Sequence, residues 1–441
     1  MRVESANFPT KNLRETLTEI CYGTSTPPTF FLPSVDTVPF VRATDIKEGQ
    51  IQLENLLHIS SEQPPKMDKC LLSGGEVIVV RSGANTGDSA FIPYELAGAY
   101  AAYDLILKFK NTINPKFVAY FLDTEIGRLQ LNLVRGRSAQ PHVNAEEVSE
   151  IRIVLPDLNK QVELVAAMDK ARSQRKQKLA KADALLSSLD KFILDTLNFR
   201  LPPPDNRKVY ATTLSQMIGE RIDPYSNKPY FQKLFNAIQN SPHNVLTLIN
   251  LSIRIFSGTT PLAKGEAYVD PPNGVRFIRS GEITTEGTVT PTSEVHISDE
   301  IHTGKMKSSQ LQKGDLLIAI VGATIGAVGI YNLDEPANIN QAIASVRLSN
   351  NEVLGEYICW YLRSSIGQRL LDYFKRPVAR ANINLAEVGE IPIIIPDLQI
   401  QETVLTEVYN RRSEAQRLRS EAETGWQAAK QWFEDQLLGG S

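Results

Sequence analysis

The feature that most constrains this chain is that it is written twice. Slid on itself by roughly half its length, the 441-residue sequence matches in order through nearly its whole extent, and a repeat of this size is a repeat of whole folding units. Gly23 with Pro27 (GTSTP) answers Gly258 with Pro261 (GTTP), and FVRATDI (Phe40 to Ile46) answers FIRSGEI (Phe277 to Ile283). Gly75-Glu76-Val77-Ile78 followed by GANTG (Gly83 to Gly87) answers Gly314-Asp315-Leu316-Leu317 followed by GATIG (Gly322 to Gly326). Phe117, Tyr120, Phe121, Leu122 and Gly127 answer Tyr357, Trp360, Tyr361, Leu362 and Gly367, and VNAEEVSEIRIVLPDL answers INLAEVGEIPIIIPDL. The offset drifts by only a few residues, as loop insertions require. At about 150 residues per domain the length allows two to three domains, and the repeat makes two of them equivalent.

The repeat decides how an apolar stretch is read. Leu316 to Leu333 (LLIAIVGATIGAVGIYNL) is uncharged and about as long as a membrane-spanning helix needs. Its counterpart EVIVVRSGANTGDSAFI carries Glu76, Arg81 and Asp88, and two equivalent segments cannot be one aqueous and one membranous. Each is predicted to be a buried strand, a Gly-rich turn and a second strand, because β-branched runs (Val77 to Val80; Leu316 to Val321) lead into a GAxxG turn. A GAxxG turn also suits phosphate binding through backbone amides, but a tight hairpin turn needs the same glycines.

Each half is expected to form short strands and then one helix. In the first, Asn114-Pro115 supplies an N-cap and a proline at the first helical position, and Phe117, Tyr120, Phe121 and Leu129 form an aromatic and apolar stripe read as core packing. A loop follows (Arg135 to Asn144; Arg376 to Asn384), then a strand ending in Leu-Pro-Asp-Leu or Ile-Pro-Asp-Leu. After each Pro-Asp-Leu runs a stretch of about 40 residues without proline and nearly without glycine. In the second half Val404, Val408, Arg411, Ala415, Leu418, Ala422, Gly425, Ala429 and Trp432 alternate at spacings of four and three, the period of a coiled-coil seam. Leu164, Met168, Ala171, Arg175, Lys178, Ala182, Leu185, Leu189 and Phe192 repeat it in the first. Forty helical residues span about 60 Å, too long to bury on one small lobe, so each helix is expected to pair with the other. Antiparallel pairing would put the lobes at opposite ends of a rod, and Arg175, Lys178 and Arg411 weaken the seam's middle, where other helices could join. The fold class predicted is α+β: two tandem α/β domains separated by two long antiparallel coiled-coil helices in a pseudo-twofold repeat. The boundaries read are 1–157 and 201–397 for the lobes, 158–200 and 398–441 for the helices. Leu201-Pro202-Pro203-Pro204 is a stiff linker, and the sequence assigns no role to residues 205–245.

Forty-seven Lys plus Arg against fifty Asp plus Glu give a net charge of −3, which excludes a uniformly basic chain but not a local basic face. Cys21, Cys70 and Cys359 are odd in number and far apart, which points to a reducing, cytoplasmic compartment without a disulfide frame. The N-terminus lacks the apolar core of a signal peptide. Catalytic signatures are missing too: no GxxxxGK[ST], GxGxxG or HExxH is present, and the five histidines have no partner at metal-ligand spacing. Asp270-Pro271-Pro272-Asn273 falls short of the Asp-Pro-Pro-aromatic motif of amino-methyltransferases, since Asn273 replaces the ring, and is read as a Pro-rich turn.

Taken together, the GTxxTP and STP openings, the GDLLIAIVGATIG block, INQAIASVRL, the GRSAQPHVN and ARANIN loops and the IPIIIPDLQIQE exit resemble the specificity subunit of type I restriction-modification enzymes. The resemblance covers all but about residues 205–245. It implies two target-recognition domains, each reading one half of a bipartite asymmetric sequence in double-stranded DNA, and a role in anti-phage defence. It further implies two methyltransferase (modification) subunits docked on the helices and restriction and translocation subunits outside them. It implies no catalytic residue and no cofactor of its own; S-adenosylmethionine, ATP and magnesium belong to the partners. Candidate DNA-binding residues are Arg135, Arg137, Ser138 and Gln140 in the first loop, and Arg376, Arg380 and Asn382 in the second, side chains suited to base edges and phosphates. Arg42 and Arg279, in equivalent segments, and Arg81 are further candidates. The run Lys170 to Lys178 puts five positive charges in nine residues, suited to phosphates, to an acidic partner or to a solvated helix face. Two other readings stay open on sequence alone: a helical scaffold whose lobes bind protein, and a self-contained DNA-modifying enzyme with an unrecognised site.

Overall fold

The apolar runs before the two GAxxG turns become central strands of two four-stranded antiparallel sheets. In the computed structural model, residues 6–26, 28–62, 65–134, 141–205, 207, 209–211, 213, 223–261, 267–349, 353–375 and 381–439 are described. By compactness they fall into two units, Met1–Lys181 with Arg417–Ser441, and Ala182–Gln416.

In the first unit the strand order is Leu17–Tyr22, Leu105–Phe109, Val77–Val79, Ser89–Phe91. In the second it is Ser252–Ser257, Ile343–Leu348, Leu316–Ala319, Val328–Ile330, the same order on the matching residues. Successive strand residues point to opposite faces, and here both faces are covered. Val77, Val79, Leu105 and Leu107 enter one core with the helices, while Ile78, Val80 and Ile106 enter another beneath a smaller sheet. Leu316 and Ile318 are likewise divided from Leu317 and Ala319. A strand buried on both sides needs a continuous apolar run, which is why this segment carries the hydropathy of a membrane span. No described helix is long and apolar enough to cross a membrane.

The smaller sheets also repeat. Thr37–Val41 pairs antiparallel with Leu57–Ser60 and parallel with Tyr100–Ala101; Val275–Ile278 pairs antiparallel with His296–Ile297 and parallel with Ala337–Ile339. Asp270 to Asn273 forms the turn ahead of Val275–Ile278, with the Asn273 N–H donating to the Asp270 carbonyl at 3.0 Å.

The single helix expected in each half is two. Pro115–Asp123, N-capped by Asn114, stops at Thr124, and Glu125–Val134 follows; the second unit has Gly355–Arg363 and Ser365–Phe374, broken at Ser364. Thr124 and Ser364 each turn the side-chain hydroxyl back to donate to the carbonyl three residues earlier, at 2.6 Å, which ends the helix. Gly127 and Gly367 lie where the next helix crosses: a Cβ would meet the Phe121 carbonyl oxygen or the Leu362 Cα at 2.2 Å. The break corrects the stripe. Phe117, Tyr120 and Phe121 are buried as expected, but Leu129, on the second helix, is exposed and Leu131 takes the inward position.

The two long helices are Leu158–Thr196 (39 residues) and Leu398–Leu438 (41 residues). A repeated glutamine ties the start of each to its lobe. Gln161 Oε1 accepts from Asn114 N at 2.8 Å while its Nε2 donates to the Pro156 carbonyl; Gln401 does the same with Leu354 N and the Pro396 carbonyl. Both are fully buried, so these bonds satisfy amides that water cannot reach.

Within each unit, half of one long helix lies against half of the other. Leu164, Val165 and Met168 share the first unit's core with Trp426, Phe433 and Leu437; Leu189, Ile193 and Leu197 share the second's with Val404, Leu405 and Val408. Each lobe is thus built on the start of its own helix and the end of the other lobe's. The predicted seam holds through Val404, Val408, Ala415, Leu418 and Ala422 and then shifts. Gly425 and Trp432 are exposed, and burial passes instead to Trp426, Phe433 and Leu437. The first helix shifts likewise, from Ala182 through Leu186 and Leu189 to Ile193 and Leu197, while Phe192 is only half-buried. From Ala182 and from Ala422 the inward positions advance by four, three, four and four, a period above 3.6 rather than the heptad's 3.5. Past that point the inward face follows the lobe core that the helix end enters, with Ile193 and Leu197 in one and Phe433 and Leu437 in the other.

Residues 205–245, without an expected role, supply the Pro229–Gln239 helix. Phe231, Leu234 and Ile238 are buried in the second unit, with Phe231 and Phe235 edge-on to Tyr373 at ring-centroid distances of 5.2 and 4.8 Å. The three cysteines are buried and free, and burial pushes the Cys359 thiol up to about 12.

Candidate nucleic-acid interface

Two sequence features far apart in each half meet at one place. Gly83 and Gly87 (φ +97° and +88°) and Gly322 and Gly326 (φ +90° and +91°) take the left-handed conformations that a tight turn requires of glycine. Against each turn lies the chain leaving a loop picked out for its Arg, Gln and Asn. Ser82 forms a β-bridge with His142 and Val321 with Asn382; the Val143 N–H donates to the Arg81 carbonyl at 2.9 Å and the Ile383 N–H to the Ile320 carbonyl at 3.0 Å. Thr86 Oγ1 donates to the Pro141 carbonyl at 3.1 Å. Exposed Asn382 stands in this arrangement. Arg135, Arg137, Ser138, Gln140, Arg376 and Arg380 lie outside the described residues.

The three remaining arginines differ sharply. Arg42 is committed within its lobe: Nε and Nη2 donate to the Asp45 carboxylate at 3.0 and 2.7 Å, the backbone N–H donates at 2.9 Å, and Asp45 is buried. That hydrogen-bonded carboxylate raises the Arg42 pKa further. At the equivalent place Glu282 is also buried, but it accepts from Thr292 N, Ser293 N and Ser293 Oγ as well as from Arg279 N. With the carboxylate saturated from elsewhere, the Arg279 side chain is exposed, and its guanidinium has no hydrogen-bond partner among the described residues.

Arg81 stacks on two rings, 4.4 Å from the Tyr103 centroid and 5.6 Å from that of Tyr22. Its backbone N–H donates to buried Asp104 at 3.0 Å. Tyr22 and Tyr103 are not sequence candidates, because neither has a tyrosine counterpart in the other repeat. Strand register places Ile320, Ser257 and Ala342 at the positions of Arg81, Tyr22 and Tyr103. The mismatch itself was the available signal.

The basic run is largely absorbed by the fold. Arg172 lies over the Tyr120 and Trp426 rings at 4.7 and 4.9 Å, Arg175 pairs with Glu48 and Glu423, and Lys178 with Glu421 at 3.0 Å. Arg411 donates to Ser188 Oγ at 2.7 Å. The charged seam positions therefore hold partners across the helix pair; Lys170 and Lys176 are exposed. No group of three or more His, Cys, Asp or Glu side chains among the described residues is placed to hold a metal ion.

The family model for type I restriction modification DNA specificity domains matches residues 15–181 and 253–408, once per repeat. The type I restriction enzyme EcoBI specificity subunit of Escherichia coli is 30% identical over 164 residues, 37% of this chain and 33% of that protein. The match thus spans about a third of that curated relative's length. A chain from a solved structure concerned with complex assembly and conformational transition of the type I R-M system superposes with a TM-score of 0.59 at 15% identity, covering 98% of each chain. The HsdS subunit from Thermoanaerobacter tengcongensis gives a TM-score of 0.44 at 16% identity over 98% of this chain and 97% of that one.

Proposed function

Because the chain belongs to the family of type I restriction modification DNA specificity domains, we propose that it is the non-catalytic recognition subunit of such a system. Each lobe reads one half of a bipartite, asymmetric duplex sequence. The observation that carries this reading is the duplicated junction of GAxxG turn and loop exit, similar in backbone and different in side chains. Equal scaffolds place the two readers, and unequal residues give them different targets. Functionally the chain divides into lobes at 1–157 and 201–397 and helices at 158–200 and 398–441.

Partner subunits bring the chemistry and most of the grip. Two methyltransferase subunits dock on the helices, restriction and translocation subunits join outside them, and S-adenosylmethionine, ATP and magnesium are theirs. The complex works in the cytoplasm. A chain of net charge −3 holds duplex weakly by itself, since non-specific affinity follows the number of phosphates neutralised. In band shifts at one salt concentration, tight sequence-selective binding is expected only with the modification subunit present. Equal affinity of the isolated chain would refute this. Mapping methylated sites in a host carrying only this system tests the whole reading; a bipartite, asymmetric motif is the expected result.

Contacts with DNA are assigned to Arg135, Arg137, Ser138 and Gln140, to Arg376, Arg380 and Asn382, and to Arg279 before Arg42. Replacing Arg279 by alanine is expected to weaken duplex affinity several-fold at fixed salt without changing the melting temperature. Arg42→Ala is expected to do the reverse, costing about 1–3 kcal/mol because buried Asp45 loses its cation. Matched affinity titrations and thermal melts separate the two.

The helices act as a ruler for the unspecified spacer. Since each unit uses parts of both, seven residues must be added to both helices, after Lys181 and after Gln416, to keep them paired. That adds about 10 Å, or about three base-pair rises. The methylated motif should keep both half-sites and lengthen its spacer; altered half-sites would sink the ruler.

A further inference from the structure

We propose that Arg81 is the guanine-reading side chain of the N-terminal lobe, and that the C-terminal lobe reads no guanine at the equivalent position. The inference rests on the DNA-recognition reading above and names a residue and a base within it.

Arg81 is fixed from several directions before any ligand arrives. Asp104 holds its N–H and Val143 its carbonyl, so its backbone is anchored at the junction of the GAxxG turn and the loop exit. Its guanidinium lies over the Tyr103 ring and is flanked by Tyr22, whose own hydroxyl accepts from Ala145 N at 3.0 Å. Tyr103 is 39% exposed, so the stack sits at the surface beside exposed Ser82, Gly83 and Ala84. Nε is buried and has no hydrogen-bond partner among the described residues. An unpaired buried donor is costly, and a fold retains that cost most readily where the rest of the group has work to do.

A guanidinium held by stacking has lost little further freedom to lose, and offers its two outer nitrogens as a planar fork. That fork only donates, whereas guanine's major-groove edge presents two acceptors, N7 and O6; adenine presents one acceptor and one donor. A phosphate contact does not need this rigidity and is met by mobile surface cations. In the other lobe Ile320, Ser257 and Ala342 replace Arg81, Tyr22 and Tyr103, and Ile320 is buried. The subsite is therefore built in one lobe only, which makes it a source of asymmetry between half-sites.

The test presents the full chain, with the modification subunit of its system, to a pool of duplexes with a randomised interior and sequences the bound fraction. Wild type should enrich a bipartite motif with a guanine in one half. Arg81→Gln should lower the preference for that guanine by about tenfold or more and leave the other half unchanged. Arg81→Lys keeps the charge without the fork and should lose most of the same preference. An unchanged motif in both variants overturns the proposal and leaves DNA recognition standing. So does a uniform loss of affinity over all sequences with a shallower salt dependence in Arg81→Gln and full retention in Arg81→Lys, which marks a phosphate contact. A wild-type chain that enriches no motif sinks both readings.

Discussion

Replacing Phe433 by alanine is expected to destabilise the N-terminal lobe, although the residue lies near the C-terminus and follows the other lobe in sequence. Its ring is fully buried in the first unit, 5.5 Å from Phe117 and 6.4 Å from Tyr120 between ring centroids. Truncating a buried Phe costs about 3–5 kcal/mol through lost transfer energy and the cavity left behind. For a unit of this size that lowers the melting temperature by roughly 6–20 °C. Amide hydrogen exchange locates the loss. Protection should fall in Val77–Val79 and Leu105–Phe109 and persist in Leu316–Ala319 and Ile343–Leu348. Exchange that rises in the second pair instead would mean that the helix end stabilises its own lobe.

Gly258→Ala is expected to be the more damaging of two glycine substitutions that look alike on paper. Gly258 follows the first strand of the C-terminal sheet, and a Cβ there would stand 1.6 Å from the Ile339 carbonyl oxygen; Gly23 meets the Ala102 carbonyl oxygen at 1.7 Å in the other repeat. The obstacle is backbone, which cannot swing aside as a side chain does. A cost of about 3 kcal/mol or more is expected, the upper end for overpacking. Gly425, exposed within the second long helix with nothing within 4 Å of its would-be Cβ, is the opposite case. There alanine should stabilise by about 0.8–1 kcal/mol, the difference in helix propensity. Denaturant unfolding of both variants checks the pair, and a neutral Gly258→Ala would contradict the close approach.

The helix partners add to the reading of the seam. Arg175, Lys178 and Arg411 break the apolar pattern, and from sequence they loosen the middle of the pair. In the fold they meet Glu423, Glu421 and Ser188 on the other helix. Exposed ion pairs contribute little stability, but they fix which residues stand opposite one another.

The sequence by itself determined the two-lobe plan, the strand–turn–strand at each GAxxG, the two long helices and the family. These are properties of period and order: alternation or continuity of apolar residues reports strand and burial, absence of proline reports helix, and a repeat reports a unit built twice. It did not determine where a helix breaks, because any Ser or Thr can turn its hydroxyl back on the chain, and only the fold shows that Thr124 and Ser364 do so, just ahead of the close approaches at Gly127 and Gly367. Nor did it determine the inward face beyond Ala182 and Ala422, which depends on the surface a helix meets and not on its own composition. The candidate site divides in the same way. The arginines were legible as residue types, but Arg42 and Arg279 stand in matching sequence and differ in availability. One faces a carboxylate that needs it, the other a carboxylate already satisfied from residues ten and eleven further on. Tertiary structure alone decided that, because hydrogen-bond donors and acceptors are finite and only three-dimensional placement determines which of them are already taken.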